Sequence, residues 1–324
     1  MENIQTAETY LSQAIDAAEP ESKYDTNVKW LLSDKQILAW ILKFSVKEFS
    51  GIPIDDMINS IENDVEVGTR PVDAGLSNAQ RITGDNTEDN IPGEGKIIYD
   101  IRFSVKMGMK FLINIEAQRT SDPHKLGYPL ENRMMFYVAR MVSAQKNTEF
   151  FHSDYGSLKP VVSIFICMDE DLEECEITEI GLNADTILGE ARHSYNTNLM
   201  RGIIIRLRGN ENLEKTGNDM IDMLEILLSQ KDADKKKEEL EEYGLNMTEE
   251  LEGRISDMCN LSLNIREKGI QEGMKKGMEK GMKEERHNAI KRMIQNGFKK
   301  EQILSLGYTV SEYEAAEKEL LVNA

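Results

Sequence analysis

The sequence predicts an α/β domain followed by a mainly helical C-terminal region. Three observations carry this: two apolar stretches hinged at Gly108, a helical pattern from Tyr128 to Ala144, and the short branched run from Pro160 to Cys167. Strand, strand, helix, strand is an α/β order. A chain of 324 residues is long enough for two units. The expected division is an N-terminal helical extension over 1–27, the α/β domain over 28–210 and the helical region over 211–324.

Along the chain, residues 5–18 show a weak helical pattern and Ser33 to Phe49 a strong one. Ser33 with Gln36 has the form of a capping box, and Ile37, Ile41 and Phe44 recur at helical spacing. Glu48 follows Phe44 by four residues, so two readings stand: a helix end in solvent, or a carboxylate aimed at a metal. From Asp64 to Gly95 periodicity is lost amid Gly, Pro, Asn and Asp; a loop this long often serves as a lid or binding loop, with room for a short strand near Val65 to Val67. The hairpin Lys96 to Arg119 comes next. It is followed by the helix bearing Arg133, Tyr137 and Arg140, and then by the apolar strand ending at Cys167.

Farther on, Gly202 to Arg208 fits a strand or a helix. Asn218 to Arg266 reads as helix with a charged break at Lys231 to Glu242. Gly269, Gly273, Gly277 and Gly281 then recur every fourth residue beside Ile270, Met274, Met278 and Met282. Each glycine costs a helix about 1 kcal/mol against alanine, so this segment is either a helix restored by packing or a flexible linker. The tail from Ala289 to Tyr308 has a helix, glycine turn, helix outline. From Glu285 onward six basic residues balance six acidic ones, which favours a packing or oligomerisation hairpin over a DNA reader.

Composition narrows the function. A net charge of -19 argues against a protein that coats nucleic acid nonspecifically, because such binding rests on a basic excess. The charge is uneven: Tyr99 to Phe165 holds nine Lys and Arg against six Asp and Glu. No apolar run is long enough to span a membrane and the N-terminus lacks signal-peptide regions, so a cytoplasmic protein is expected. The three cysteines fit neither a disulfide framework nor a thiolate zinc site, and the four histidines lack metal-ligand spacing.

The sharpest feature is an acid pair. Asp100 lies eight residues before Gly108 and Glu116 eight after it, so strands folded back at the glycine set the two side chains opposite each other. Facing residues of an antiparallel pair have Cβ atoms about 4.5–5.5 Å apart, close enough to share one divalent ion. Gln118 points the same way. Like charges at this separation repel unless a cation or a proton lies between them. A slip of one residue would turn one acid to the other face.

An acid on one strand and Glu-x-Lys or Glu-x-Gln on the next is the core of the PD-(D/E)XK nuclease superfamily, and Asp100 with Glu116-Ala-Gln118 matches it. The chain resembles the Rpn-type, recombination-promoting nuclease family of transposases in that superfamily. The likeness runs through Asn86-Thr-Glu-Asp, Glu94-Gly-x-Ile-Ile-Tyr-Asp-Ile-Arg-Phe, Ile113-Asn-Ile-Glu-Ala-Gln, the Arg133 to Gln145 helix and the Gly-x-x-x-Gly tail.

The resemblance implies a restriction-endonuclease-like mixed sheet flanked by helices and Mg²⁺-dependent cleavage of DNA, with Mn²⁺ as an alternative ion. Asp100 and Glu116 would ligate the metal together with the Ala117 backbone carbonyl. Gln118, catalytic with Asp100 and Glu116, stands where many relatives have a lysine and can orient a water by hydrogen bonds but brings no charge; Lys110 and Arg119 either supply it or simply lie on the surface, and Arg119 is also a candidate DNA contact. Arg133 and Arg140, seven residues apart, would hold DNA phosphates with Tyr137 stacking on a base, or else pair with surface acids. A homodimer through the C-terminal helices is expected. The other reading is a binding module on the same fold.

Overall fold

Ile101, Phe103 and Val105 alternate on one strand and Phe111, Ile113 and Ile115 on the next, so both strands turn a fully apolar face to one side. In the computed structural model that face lines the main core. Residues 20–62, 66–67, 88–91, 95–169, 172–208, 214–229 and 231–322 are described by the structure. The expected helix at 5–18 and most of the long loop from Asp64 to Gly95 lie outside them.

The first elements are helices α1 (Pro20–Leu32), α2 (Lys35–Ser45) and α3 (Ile54–Ser60), then strands β1 (Glu66–Val67), β2 (Glu88–Ile91), β3 (Gly95–Ile98), β4 (Ile101–Met107) and β5 (Met109–Gln118). Helices α4 (Pro123–Leu126) and α5 (Leu130–Ser143) lead to β6 (Val161–Asp169), β7 (Glu176–Gly181) and β8 (Met200–Arg208). Helices α6 (Asp219–Leu228), α7 (Ala233–Glu241), α8 (Glu249–Gln295), α9 (Lys300–Ser305) and α10 (Val310–Val322) complete the order.

Six strands form one mixed sheet in the order β1-β4-β5-β6-β8-β7, and β2 pairs with β3 separately. Strands β4 and β5 are antiparallel about Gly108, whose φ of 69° suits a residue without a side chain. Strands β5, β6 and β8 are parallel neighbours, with β7 antiparallel at the edge. The fold is therefore α/β with a mixed sheet flanked by helices. Its central apolar face packs on residues of α1, α2, α3, α6, α7 and the start of α8. The opposite face takes α5, which lays Leu130, Met134, Val138 and Met141 on Phe165, Cys167, Leu112 and Val161.

The strand near Val65 to Val67 is present as Glu66–Val67, and Gly202 to Arg208 resolves as strand β8. Other expectations are corrected. Asp34, not Ser33, caps α2: its carboxylate accepts from the Gln36 N–H at 2.9 Å, while Ser33 Oγ donates to the Trp30 carbonyl at 2.7 Å and closes α1. Helix α2 stops at Ser45, because Val46 is extended, so Glu48 leaves the face of Ile37 and Ile41 and sits in a separate 3-10 turn. The charged stretch 231–242 is not a break, since Asp232 caps a helix within it.

The chain forms two compact units, residues 1–262 and 263–324. The physical reason is that Met220, Ile221, Leu224, Leu227, Leu240, Leu251 and Ile255 belong to the core of the sheet. The glycine repeat is helical, within the 47 residues of α8. Ile270, Met274, Met278 and Met282 are exposed there. In the second unit Ile290, Ile303, Tyr313 and Ala316 form a small core, with turns at Gly297 and Gly307, both at positive φ. Its cations face acids: Arg286 pairs with Glu312, Lys291 with Glu319 and Lys300 with Glu314.

Gly202 of β8 lies against Met134 of α5. A Cβ on Gly202 would lie 2.3 Å from Met134 Cε and 2.9 Å from its Cγ, inside any real contact distance. Gly202→Ala should therefore lower the unfolding free energy by about 1–3 kcal/mol, the usual effect of overfilling a packed interior. Urea denaturation checks this; an unchanged midpoint would mean that the Met134 side chain turns aside at little cost.

Candidate metal and phosphate site

The carboxyl end of a strand flanked by a parallel neighbour is where open α/β sheets collect their chemistry. Here β5 ends in Glu116, Ala117 and Gln118, beside Phe165, Ile166 and Cys167 of β6. Ile101 pairs with Ile115, so one step beyond the ladder Asp100 faces Glu116. The expected register holds.

The two acids complete the ladder where β4 gives out. Asp100 N–H donates to Glu116 Oε1 at 3.1 Å, and Ala117 N–H donates to Asp100 Oδ2 at 3.1 Å. In an extended strand a residue's N–H and C=O point to the same neighbour, so the Ala117 carbonyl is also directed toward the Asp100 side. Two carboxylates and one carbonyl oxygen therefore share that edge.

Their mutual repulsion is met by two cations from opposite faces of the sheet. Lys29 of α1 brings Nζ to 2.5 Å from Asp100 Oδ1. Arg133 of α5 brings Nη2 to 3.1 Å from Glu116 Oε2, while Nη1 donates to Gln118 Oε1 at 3.1 Å and Nε to the Tyr137 hydroxyl at 3.2 Å. The guanidinium also lies over the rings of Tyr137 and Phe165, at 5.1 and 5.7 Å from their centroids, a cation–π arrangement.

Glu116 is 1% exposed. Burial, reinforced by the charge of Asp100, pushes its carboxyl up to about 8, against the opposing pull of Arg133, the Asp100 N–H and the Asn114 amide. For Arg133, burial is the largest single influence and works against the charge, yet Glu116 together with Tyr137 and Tyr128 outweighs it and holds the guanidinium protonated.

Other expected site residues are placed elsewhere or differently. Glu48 pairs with Arg201 at 2.8 Å, and Arg201 lies beside Val162, toward the far end of β6 from Glu116; the helix break at Val46 took it there. Arg140 is only 7% exposed, so it offers no surface to DNA. Arg133 is committed to Glu116 and Gln118 rather than to solvent phosphate. Tyr137 packs edgewise against Tyr99 and at a tilt on Phe165, 5.3 and 6.1 Å between centroids, so its ring serves α5 packing instead of base stacking. Lys110 pairs with Glu149 near the hairpin turn at 2.6 Å. Arg119 is 57% exposed, with Asp25 at 3.8 Å, on the edge near α1.

Sequence reasoning missed Lys29. It lies in the segment Val28-Lys-Trp-Leu-Leu, and no spacing relates it to an acid on a distant strand. No group of three or more His, Cys, Asp or Glu suited to a metal occurs among the described residues. Mg²⁺ takes one or two carboxylates and keeps several waters, and the donor type here, two carboxylates and a carbonyl, is of that kind, with each carboxylate oxygen bonded to an N–H or a cation. Among the described residues no helix is long and apolar enough to cross a membrane. The chain matches no family model, no curated protein and no solved structure.

A pH dependence follows. Glu116 has its folded value raised from 4.5 to about 8, so between these values the native state holds a proton that the unfolded state has lost. Stability from this group is complete below about 4.5 and falls as pH rises toward 8. In EDTA, wild type should lose more unfolding free energy between pH 5 and pH 8 than Glu116→Gln does. Parallel urea-derived profiles for the two proteins would remove the assignment.

Proposed function

We propose that the protein is a Mg²⁺-dependent DNA endonuclease of the Rpn type, built on a restriction-endonuclease-like fold and acting in the cytoplasm in recombination or mobile-element chemistry. The observation that carries the reading is the reciprocal bonding of Asp100 and Glu116 at the carboxyl end of β5, with Gln118 next on the same face. The resemblance in the sequence supports the substrate class. Mn²⁺ suits the same oxygen ligands.

When bound, a hard divalent ion lowers the pKa of a coordinated water and neutralises charge developing on a phosphoryl oxygen. Asp100, Glu116 and the Ala117 carbonyl are the groups that would hold it. Arg133 fixes the rotamers of Glu116 and Gln118, so that the carboxylate keeps one oxygen toward the Asp100 N–H and the other on the guanidinium. With its Oε1 on Arg133, Gln118 has an amide NH₂ left as donor, which orients a water or a phosphate oxygen without adding charge. Dimerisation through the C-terminal helices would bring two such sites to a duplex, one per strand.

A binding module on the same scaffold is the second reading. It is favoured by the fact that Lys29 and Arg133 already balance the acids without a metal. Plasmid cleavage by the full chain in Mg²⁺, Mn²⁺ or EDTA separates the two. Metal-dependent nicking by wild type should fall by more than about a hundredfold in Asp100→Ala and in Glu116→Ala, beyond what losing an outer hydrogen-bond partner of a ligand does. Equal nicking by the variants, or none by wild type, would leave the binding reading.

A further inference from the structure

The site carries no charge at position 118, where Gln118 spends its carbonyl oxygen on Arg133. Arg133 is itself fully engaged: three nitrogens serve Glu116, Gln118 and Tyr137, and two rings hold the guanidinium plane. Lys110 and Arg119 lean on Glu149 and Asp25. Lys29 differs in kind. Its amine is a compact charge with three donors on a flexible stem, and Asp100 Oδ1 takes one of them. The Lys29 and Asp100 side chains are 15% and 14% exposed, so the pair sits at the rim of the acid edge rather than under it. The other Asp100 oxygen is tied to the Ala117 N–H, which leaves Oδ1 as the atom that any cation at this edge would meet first.

We infer that Lys29 does two jobs at this edge: it occupies the cation position on Asp100 while the site is empty, and it faces the substrate phosphate once a metal takes that position. This rests on the nuclease reading for its second half only. With Lys29 present a cation sits against Asp100 Oδ1; without it Asp100 keeps only the Ala117 N–H, and the demand of that carboxylate for another cation rises. A positive amine beside a bound ion is also repelled from it, which turns the flexible stem outward toward an anion. A lysine that merely braces Asp100 predicts the opposite, because loss of the brace would disorder a ligand and weaken the metal.

The test uses the full chain as wild type, Lys29→Met and the double variant Lys29→Met with Gln118→Lys. Mn²⁺ affinity is read by calorimetry without DNA, and plasmid nicking is read at saturating Mn²⁺. Lys29→Met should bind Mn²⁺ several-fold more tightly while nicking at least tenfold more slowly, and Gln118→Lys should restore most of the rate by returning a charge to the site. Mn²⁺ affinity that is unchanged or weaker in Lys29→Met overturns the inference.

The two readings separate cleanly. A wild type that never nicks, with tighter Mn²⁺ binding in the variant, keeps Lys29 at the cation position and removes hydrolysis. A wild type that nicks, with the variant unchanged in both measures, keeps the nuclease and removes Lys29. Absence of Mn²⁺ binding in both proteins overturns both readings. Thermal unfolding in EDTA confirms that each variant is folded, and Lys29→Gln, which retains a donor for Asp100, carries the same comparison if the Met variant melts early.

Discussion

A carboxylate buried at the end of a central strand is the constraint on which this half of the molecule depends. Glu116 is shut away from water, and an isolated buried charge is far too costly to persist without partners. Its partners come from three directions: the Asp100 backbone N–H, Asn114 two residues back on the same strand, and Arg133 from the helix above. Arg133 and Met134 are neighbours on α5, and Gly202 leaves on the sheet the space that the Met134 side chain fills. The packing of one methionine and the ionisation of one glutamate are thus parts of the same arrangement. Breaking such a pair by removing one member leaves the other exposed to its full desolvation penalty, which is why Arg133 is better regarded as part of the acid site than as a surface cation.

The sheet separates two kinds of cation. Arg133 arrives from the α5 face as a planar fork and is held by geometry, matching one oxygen of Glu116 and one of Gln118 in parallel. Lys29 arrives from the α1 face as a point charge on a single oxygen of Asp100. A bidentate, stacked guanidinium resists displacement; a lone amine at the rim does not. The asymmetry gives Glu116 a partner held at several points and Asp100 a partner held at one.

The hairpin and its register were legible because two local signals agree there. Gly108 supplies the only backbone freedom the turn needs, and apolar alternation on both sides forbids a one-residue slip. The opposition of Asp100 and Glu116 follows from those two facts alone. What satisfied their repulsion was not legible: Lys29 lies 71 residues before Asp100 in the sequence, and its approach depends on how α1 docks against the sheet. Helical spacing also placed Arg133 and Arg140 on one face without saying how deep that face lies; the same helix leaves Arg133 at the edge and buries Arg140. The metal-directed reading of Glu48 fails for a purely local reason, an extended Val46 that ends α2 a few residues early and starts a new turn.

The charge pattern of the whole chain acquires a consequence from this arrangement. The segment from Tyr99 to Phe165 is basic by count, yet Lys110 pairs with Glu149 and Arg133 with Glu116, while Lys29 from outside the segment pairs with Asp100. A cation held by an acid contributes little to the counterion release that drives binding to a polyanion. With a net charge of -19 the chain as a whole repels DNA at long range. Under the nuclease reading, attraction must then be generated at the site itself. On the inference drawn for Lys29, a divalent ion entering the acid edge would add two positive charges there and turn the Lys29 amine outward from Asp100. Metal binding and substrate binding become one linked event, and the acidic remainder of the surface discourages contact with nucleic acid anywhere else.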